Sequence, residues 1–383
     1  MTNALLEYGL LASILAAIYP ILGYPLVLGL IAALRPRLVR RAGITPSVSI
    51  LIPAYNEAEC IAATIENKLG QDYPAERMEI TVVSDASEDG TDAIVTRYSG
   101  RGVKLLRRQQ RQGKAAALNE AVAQAKGEII VFSDANSTFA SDAVRRLVEN
   151  FADPEVGYVT GNLEYRHSGE TSGRGSGAYM RYENWLRRIE SRAGSVIGVN
   201  GGVDAMRREL YRDVPTDQIT DFVLPLRVIA AGYRVIFDER AQSHELANTE
   251  MASEFRMRVR VALRALNGLA YVREALNFFR RPLSAFCIAS HKILRYASFA
   301  FLALALALNA ILAGHSPAFA ALLVCQIIFY SLALAGLSGA LPGSLRTLTA
   351  LPTYFLVSNV AFGIAALRFA RGDTVVTWKP RAG

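Results

Sequence analysis

The sequence holds only three cysteines and four histidines among its 383 residues. Cys60, Cys287 and Cys325 share no zinc-type or disulfide spacing, and the last two fall in or near apolar segments, so neither a disulfide framework nor a cysteine metal knuckle is encoded. No segment repeats at a fixed period and no tract is of low complexity, which excludes a solenoid and a biased linker. Residues 5–34 carry a single charge, Glu7, and lack the short apolar region and small-residue cleavage site of a signal peptide. They exceed the ~20 residues that cross a bilayer core, and are read as a retained anchor.

A hydrophobic content of 51% and a mean hydropathy of +0.21 are too high for an ordinary soluble enzyme. Three further stretches, at about residues 296–313, 318–337 and 345–369, are candidate spans. The last contains Pro352, which membrane helices tolerate. Arg35, Arg37, Arg40 and Arg41 follow the first apolar stretch directly, which places that end in the cytoplasm. The expected organisation is an anchor over residues 1–41, a cytosolic domain over 46–245, amphipathic interfacial helices over 250–295, membrane helices over 296–370 and a tail over 371–383. One difficulty is visible: three closing spans put the C-terminus outside, whereas Arg368, Arg371, Lys379 and Arg381 favour the inside. The net charge of +8 gathers beside the spans, and reads as contact with anionic lipid in preference to nucleic acid.

Between Ser47 and Glu239, apolar runs alternate with segments of helical period: "SVSILIPAYN", "MEITVVSD", "VKLLRR" and "EIIVFSDAN" are separated by helix-like stretches. Such alternation predicts an α/β domain with a mainly parallel sheet. Ligands of these sheets bind beyond the carboxyl ends of the strands, and the polar clusters "PAYNE", "SDASEDGTD" and "SDANS" fall at those ends. Asp85 and Asp134 would each need a cation or strong donors there. One could hold a base or ribose and the other a hard divalent cation. On an extended backbone Asn136 points the same way as Asp134 and can ligate through its amide oxygen, without charge. Ser137 and Ser141 leave helix capping as the plain alternative. "RHSGETSGRGSG" reads as a surface loop, and "YMRYENWLRRIESRAG" as a helix whose stripe of Tyr179, Tyr182, Trp185, Leu186 and Ile189 packs on the sheet or the membrane surface.

Taken together, "SILIPAYNEAECIAATIENKL", "TVVSDASEDGTDAIV", "RQGKAAALNEAVAQAKGEIIVFSDANS" and "ITDFVLPLRVIAAGYRVIFDERA" resemble the family 2 glycosyltransferases, in particular membrane-embedded bacterial members related to cellulose, chitin and hyaluronan synthases. The resemblance covers about residues 47–264. It implies a GT-A fold inserted between transmembrane helices, a nucleotide-diphosphate sugar donor, usually UDP-linked, and a divalent metal, Mg²⁺ or Mn²⁺. Pro53, Tyr55 and Glu57 match the donor-contacting first strand, Asp85 the base-holding carboxylate and Lys114 a donor-site lysine. Asp134 with Asn136 resembles the D-x-D metal motif, His244 stands where some members place another metal ligand, and Asp221 in "ITD" matches the catalytic base. The Q-x-x-R-W motif of the synthases is missing: "EFRMRVRVALRALNGL" has neither its Gln nor its Trp, though helical spacing aligns Arg256, Arg260 and Arg264. Arg256, Arg258 and Arg260, with Trp185, are the candidates for acceptor or pyrophosphate contact.

The expected chemistry is inverting sugar transfer to a lipid-linked or polysaccharide acceptor at the membrane, with the catalytic domain on the cytosolic side of a bacterial inner membrane. The competing readings are a processive synthase that exports its product and a non-catalytic nucleotide-sensing membrane scaffold. No nucleic acid is expected as a partner.

Overall fold

The computed structural model describes residues 2–166, 174–246, 251–337 and 343–375. In chain order the elements begin with α1 (Thr2–Ile18), α2 (Gly23–Leu34), β1 (Val48–Ala54), α3 (Ile61–Leu69), β2 (Met78–Ser84), α4 (Thr91–Thr96), β3 (Val103–Arg107), α5 (Lys114–Gln124) and β4 (Ile129–Ser133). They continue with β5 (Thr138–Phe139), α6 (Ala143–Glu149), β6 (Val156–Arg166), α7 (Arg174–Ala193), β7 (Val203–Arg207), α8 (Thr220–Ala230), β8 (Arg234–Leu246), α9 (Met251–Tyr271), α10 (Pro282–Ile288), α11 (Leu294–Leu312), α12 (Pro317–Leu337) and α13 (Gly343–Ala370).

One sheet runs in the order β3-β2-β1-β4-β7-β6-β8-β5. The first four strands are parallel, as strand–helix alternation dictates, and β1 is buried along its whole length because helices cover both faces. Its side chains divide by parity: Leu51 joins one apolar core, while Ile50 and Ile52 join the other. Beyond β4 the sheet departs from the parallel expectation. β7 runs antiparallel to both β4 and β6, β8 runs parallel to β6, and short β5 closes the far edge. The carboxyl ends of β1, β2 and β4 lie on one side, so Tyr55, Asp85 and Asp134 emerge at a common edge.

The anchor is not one straight helix. α1 and α2 meet at an angle of 57°, at a break that contains Pro20, whose ring and missing N–H interrupt helical hydrogen bonding. Tyr24 and Leu28 of α2 are fully buried in the core that also contains Leu51 and Phe132, so the anchor packs on the sheet domain. Three helices are long and apolar enough to cross a membrane: Pro282–Leu312, Pro317–Leu337 and Thr347–Ala370; the bent pair would make a fourth. Residues 282–295, expected as a separate interfacial helix, instead continue through a π-helical turn, Ala289–Ile293, into α11. α9 packs its Ala262 and Leu263 against Ala365 of α13. Residues 167–173 of the Gly/Ser-rich loop, and Lys379 and Arg381 of the tail, lie outside the described residues.

Candidate active site

Three side chains, one ammonium and two carboxylates, converge at the strand ends. Lys114, the first residue of α5, sends its Nζ 2.8 Å from Asp134 Oδ1 and 3.2 Å from Asp221 Oδ2. Asp134 comes from the end of β4 and Asp221 from the first turn of α8, so one ammonium joins two sequence-distant carboxylates. Burial opposes the charge on Lys114, but Asp134 and Asp221 outweigh it and hold the lysine well above its ordinary range. Asp134 and Asp221 keep 36% and 27% of their side chains exposed, so the cluster opens to an incoming ligand.

Asp85 lies at the end of β2 and is fully buried. Its carboxylate accepts from the amides of Gln112 and Gly113, at 3.0 and 2.8 Å, and from Arg108 Nη1 at 3.0 Å. It therefore fixes the loop that delivers Lys114, a role its position alone did not reveal. At the end of β1 the Arg111 guanidinium stacks 3.6 Å over the Tyr55 ring, and the Glu57 amide donates to Thr91 Oγ1 at 2.9 Å. Pro53 is buried within β1, in register with Val83. Tyr55 and Glu57 thus follow β1 at the same edge of the sheet as Asp85 and Asp134, with Pro53 buried behind them.

The backbone does not stay extended from Asp134 to Asn136. Ser137 N donates to Asp134 O at 3.2 Å, closing a turn that carries Ala135 and Asn136 at its tip, so the two side chains are not simply i and i+2 neighbours on a strand. Lys68 Nζ, fully buried, donates to Ser137 O at 2.7 Å and braces this turn from below. His244 pairs with Thr138 across β8 and β5, and its buried Nδ1 has no hydrogen-bond partner among the described residues. No group of three potential ligands gathers among the described residues. Asp134, with 36% of its side chain exposed, fits a hard divalent ion completed by phosphate oxygens and water, which is how Mg²⁺ is commonly bound.

Two parts of the chain not singled out as candidates border the site, the Gly201–Asp204 segment and Arg264 on α9. Gly201 has φ +83° and lies directly against the Asp221 carboxylate, leaving no room for a Cβ. Asp204, the fully buried second residue of β7, accepts from Tyr158 OH at 2.8 Å and from Gly201 N at 3.1 Å. Burial, reinforced by nearby Asp221, pushes its carboxyl up to about 7 against the hydrogen bonds of Thr160 and Tyr158. Arg264 is the second. Its Nη2 donates to Gln218 O at 2.6 Å, just ahead of α8, and burial lowers its pKa to about 10 although Asp221 is near enough to raise it. Helical spacing had already put Arg264 on the same face as Arg260 and Arg256. Arg260 is close enough to Arg264 to repel it, and Arg256 is exposed.

Arg258 does not belong to this group. Six residues from Arg264, it points around the helix to α13, where it donates to Ser358 Oγ at 3.0 Å and lies 4.1 Å over the Tyr354 ring. Trp185 also stands apart: 43% exposed on α7, it packs against Tyr182, whose hydroxyl donates to Ile21 O between α1 and α2. Of these two candidates for acceptor or pyrophosphate contact, Arg258 faces α13 and Trp185 lies beside Tyr182 near the α1–α2 break.

Residues 49–214 match the model of glycosyl transferase family 2. The chain is 28% identical to a poly-beta-1,6-N-acetyl-D-glucosamine synthase of Staphylococcus epidermidis and 29% identical to that of Staphylococcus aureus strain COL, in each case over 56% of this chain and 53% of the relative. It therefore spans about half the length of these relatives. Among solved structures it resembles a mannosyltransferase, PcManGT from Pyrobaculum calidifontis in complex with GDP-Man and Mn²⁺, with a TM-score of 0.70 and 26% identity over 96% of this chain and 99% of that one. The fold is accordingly GT-A, followed in sequence by three apolar helices of membrane-spanning length and preceded by the bent apolar pair.

Proposed function

We propose that this chain, whose residues 49–214 form a family 2 glycosyltransferase domain, performs an inverting transfer of a sugar from a nucleotide-diphosphate donor to an acceptor at a membrane. The observation that carries this reading is the Asp134–Lys114–Asp221 cluster: a candidate metal ligand and a candidate base face one cleft from two different elements, with a cation between them. Asp221 takes the proton of the acceptor hydroxyl as that oxygen attacks the anomeric carbon and the bond to the diphosphate breaks. Asp134, with the Asn136 amide oxygen, would hold Mg²⁺ or Mn²⁺, which when bound supplies positive charge to the leaving diphosphate. Lys114 and Arg264 add fixed positive charge on the same side, where the leaving group becomes more negative. Asp85 holds the Lys114 loop, and Tyr55 and Glu57 border the nucleotide.

The donor is UDP-linked in this reading, in keeping with the staphylococcal relatives, whose name specifies poly-N-acetylglucosamine. The acceptor is a lipid-linked or growing glycan. The catalytic domain lies in the cytosol of a bacterial inner membrane, on the side marked by Arg35, Arg37, Arg40 and Arg41, where anionic lipids also contact the chain. A processive synthase is the second reading, favoured by the relatives' name and opposed by the missing Gln and Trp on α9. Membranes containing the chain, supplied with radiolabelled UDP sugars and GDP-mannose, should yield a labelled lipid-extractable or glycan product. No labelled product with any donor, from folded protein, would leave a nucleotide-sensing scaffold as the better account.

A further inference from the structure

α7 turns a charged face inward. Glu183, Arg187 and Glu190 lie at helical spacing and are only 4%, 7% and 0% exposed. Facing them is the π-helical turn at the start of the Pro282–Leu312 helix, together with Arg295 one turn on. Most of these groups are paired. His291 Nδ1 lies 2.7 Å from Glu190 Oε1, which also accepts from Tyr24 OH at 2.8 Å; Arg295 Nη1 donates to Glu183 Oε1 at 2.6 Å; Arg187 Nε donates to Gly198 O at 2.9 Å.

Lys292 differs. Its Nζ makes no hydrogen bond or ion pair with any described residue, although Glu183 and Glu190 lie in electrostatic range. Nζ instead abuts Gly198, where an added Cβ would fall 2.6 Å from it. Two carboxylates here face three cations, so the cluster carries an excess positive charge in a largely desolvated place. A cation so placed is costly unless an anion meets it. Gly198, Val199 and Asn200 are only partly buried, so the spot is open. Gly198 also precedes Gly201, the residue against Asp221, by three positions, and three residues span at most ~11 Å.

We propose that Lys292, backed by Arg187, binds the phosphate of a lipid-linked acceptor where the Pro282–Leu312 helix meets the catalytic domain. The proposal rests on the transfer reading only for the word acceptor. The donor diphosphate is accounted for, in that reading, by Lys114, Asp134 and Arg264. A helix long and apolar enough to enter the bilayer presents the Lys292 ammonium, so the anion delivered to it is a lipid phosphate, met by a charge-assisted hydrogen bond. The phosphate would then sit about one glycosyl unit from the base.

The test uses the full chain in phosphatidylcholine nanodiscs containing a minority of phosphatidic acid, a lipid phosphate monoester, with retained lipid read by native mass spectrometry. Wild type should retain phosphatidic acid over phosphatidylcholine, and Lys292→Met should lose that preference by roughly tenfold or more, the share of one charge-assisted hydrogen bond. Lys292→Arg should keep it. Gly198→Ala, which retains every charge but displaces the ammonium, should weaken it, so a folding defect in the Met variant does not decide the matter. Equal retention by wild type and Lys292→Met overturns the site. Displacement by inorganic phosphate as effective as by the lipid shows a free-phosphate site and overturns the lipid assignment. UDP binding on the same samples reports on the donor cleft separately: its absence in wild type sinks the transfer reading and leaves the phosphate site standing.

Discussion

Replacing Gly201 by alanine tests how tightly the backbone holds the candidate base. At φ +83° a residue with a Cβ carries a conformational cost of about 1–2 kcal/mol. The Cβ would also overlap the Asp221 carboxylate, which must move by a sizeable fraction of an ångström or more. A misplacement of ~1 Å in a reacting group can cost ~10²-fold, and complete loss of a general base ~10²–10⁴-fold. Gly102 provides the control: its φ of +82° imposes the same backbone cost, but nothing lies within 4 Å of an added Cβ. Gly102→Ala should therefore lower the thermal midpoint by the backbone cost alone and Gly201→Ala by at least as much, while only Gly201→Ala loses transfer, by ~10²-fold or more at saturating donor. Equal transfer rates in the two variants would refute the claim that Gly201 seats Asp221.

Chelation should abolish transfer and readdition of Mg²⁺ or Mn²⁺ restore it, and Asn136→Asp should preserve or tighten metal use if that side chain ligates, as read from a titration of activity against metal. Arg264→Leu should reduce turnover or donor affinity by ~10–10²-fold, the weight of a hydrogen bond to a charged group, whereas Arg258→Leu, which faces Ser358 and Tyr354, should alter stability and leave donor kinetics unchanged. Asp204 carries a stability prediction with a definite sign. Its folded pKa of about 7 is raised above the unfolded value, so its contribution is fully present below about pH 4 and is lost as pH rises through 7, by about 4 kcal/mol in total. The difference in melting temperature between wild type and Asp204→Asn should accordingly shift against wild type between pH 5 and pH 8, and a pH-independent difference would contradict the assignment.

Three strands of the parallel half, β1, β2 and β4, were legible in the sequence because each holds a buried, mostly apolar run that ends in polar residues. β1 with its Tyr55, β2 with Asp85 and β4 with Asp134 all follow that pattern. The antiparallel β7 and the long β6 and β8 were not, since their pairing depends on contacts far along the chain and their residues alternate in no distinctive way. Asp85 was found from its place at the end of β2, but its hold on the loop through Gln112, Gly113 and Arg108 shows only in the folded chain. Asp204 carries no local signal, because what singles it out is burial beside Gly201 and Tyr158. On α9 the spacing separated the faces correctly, but which face meets α8 and which meets α13 is a packing outcome, and that decided between Arg264 and Arg258.

Asp221 is the centre of the account, and Asp221→Asn tests it most directly. Asparagine keeps the volume and an acceptor for Thr220 Oγ1, which donates to Asp221 Oδ1 at 3.1 Å, and leaves Lys114 its partner in Asp134. It cannot take a proton. The folded, membrane-inserted variant should bind nucleotide sugar with near-normal affinity and transfer at least ~10²-fold more slowly at saturating donor and acceptor. Transfer at the wild-type rate would return Asp221 to a helix-end structural role and leave the cleft without its base.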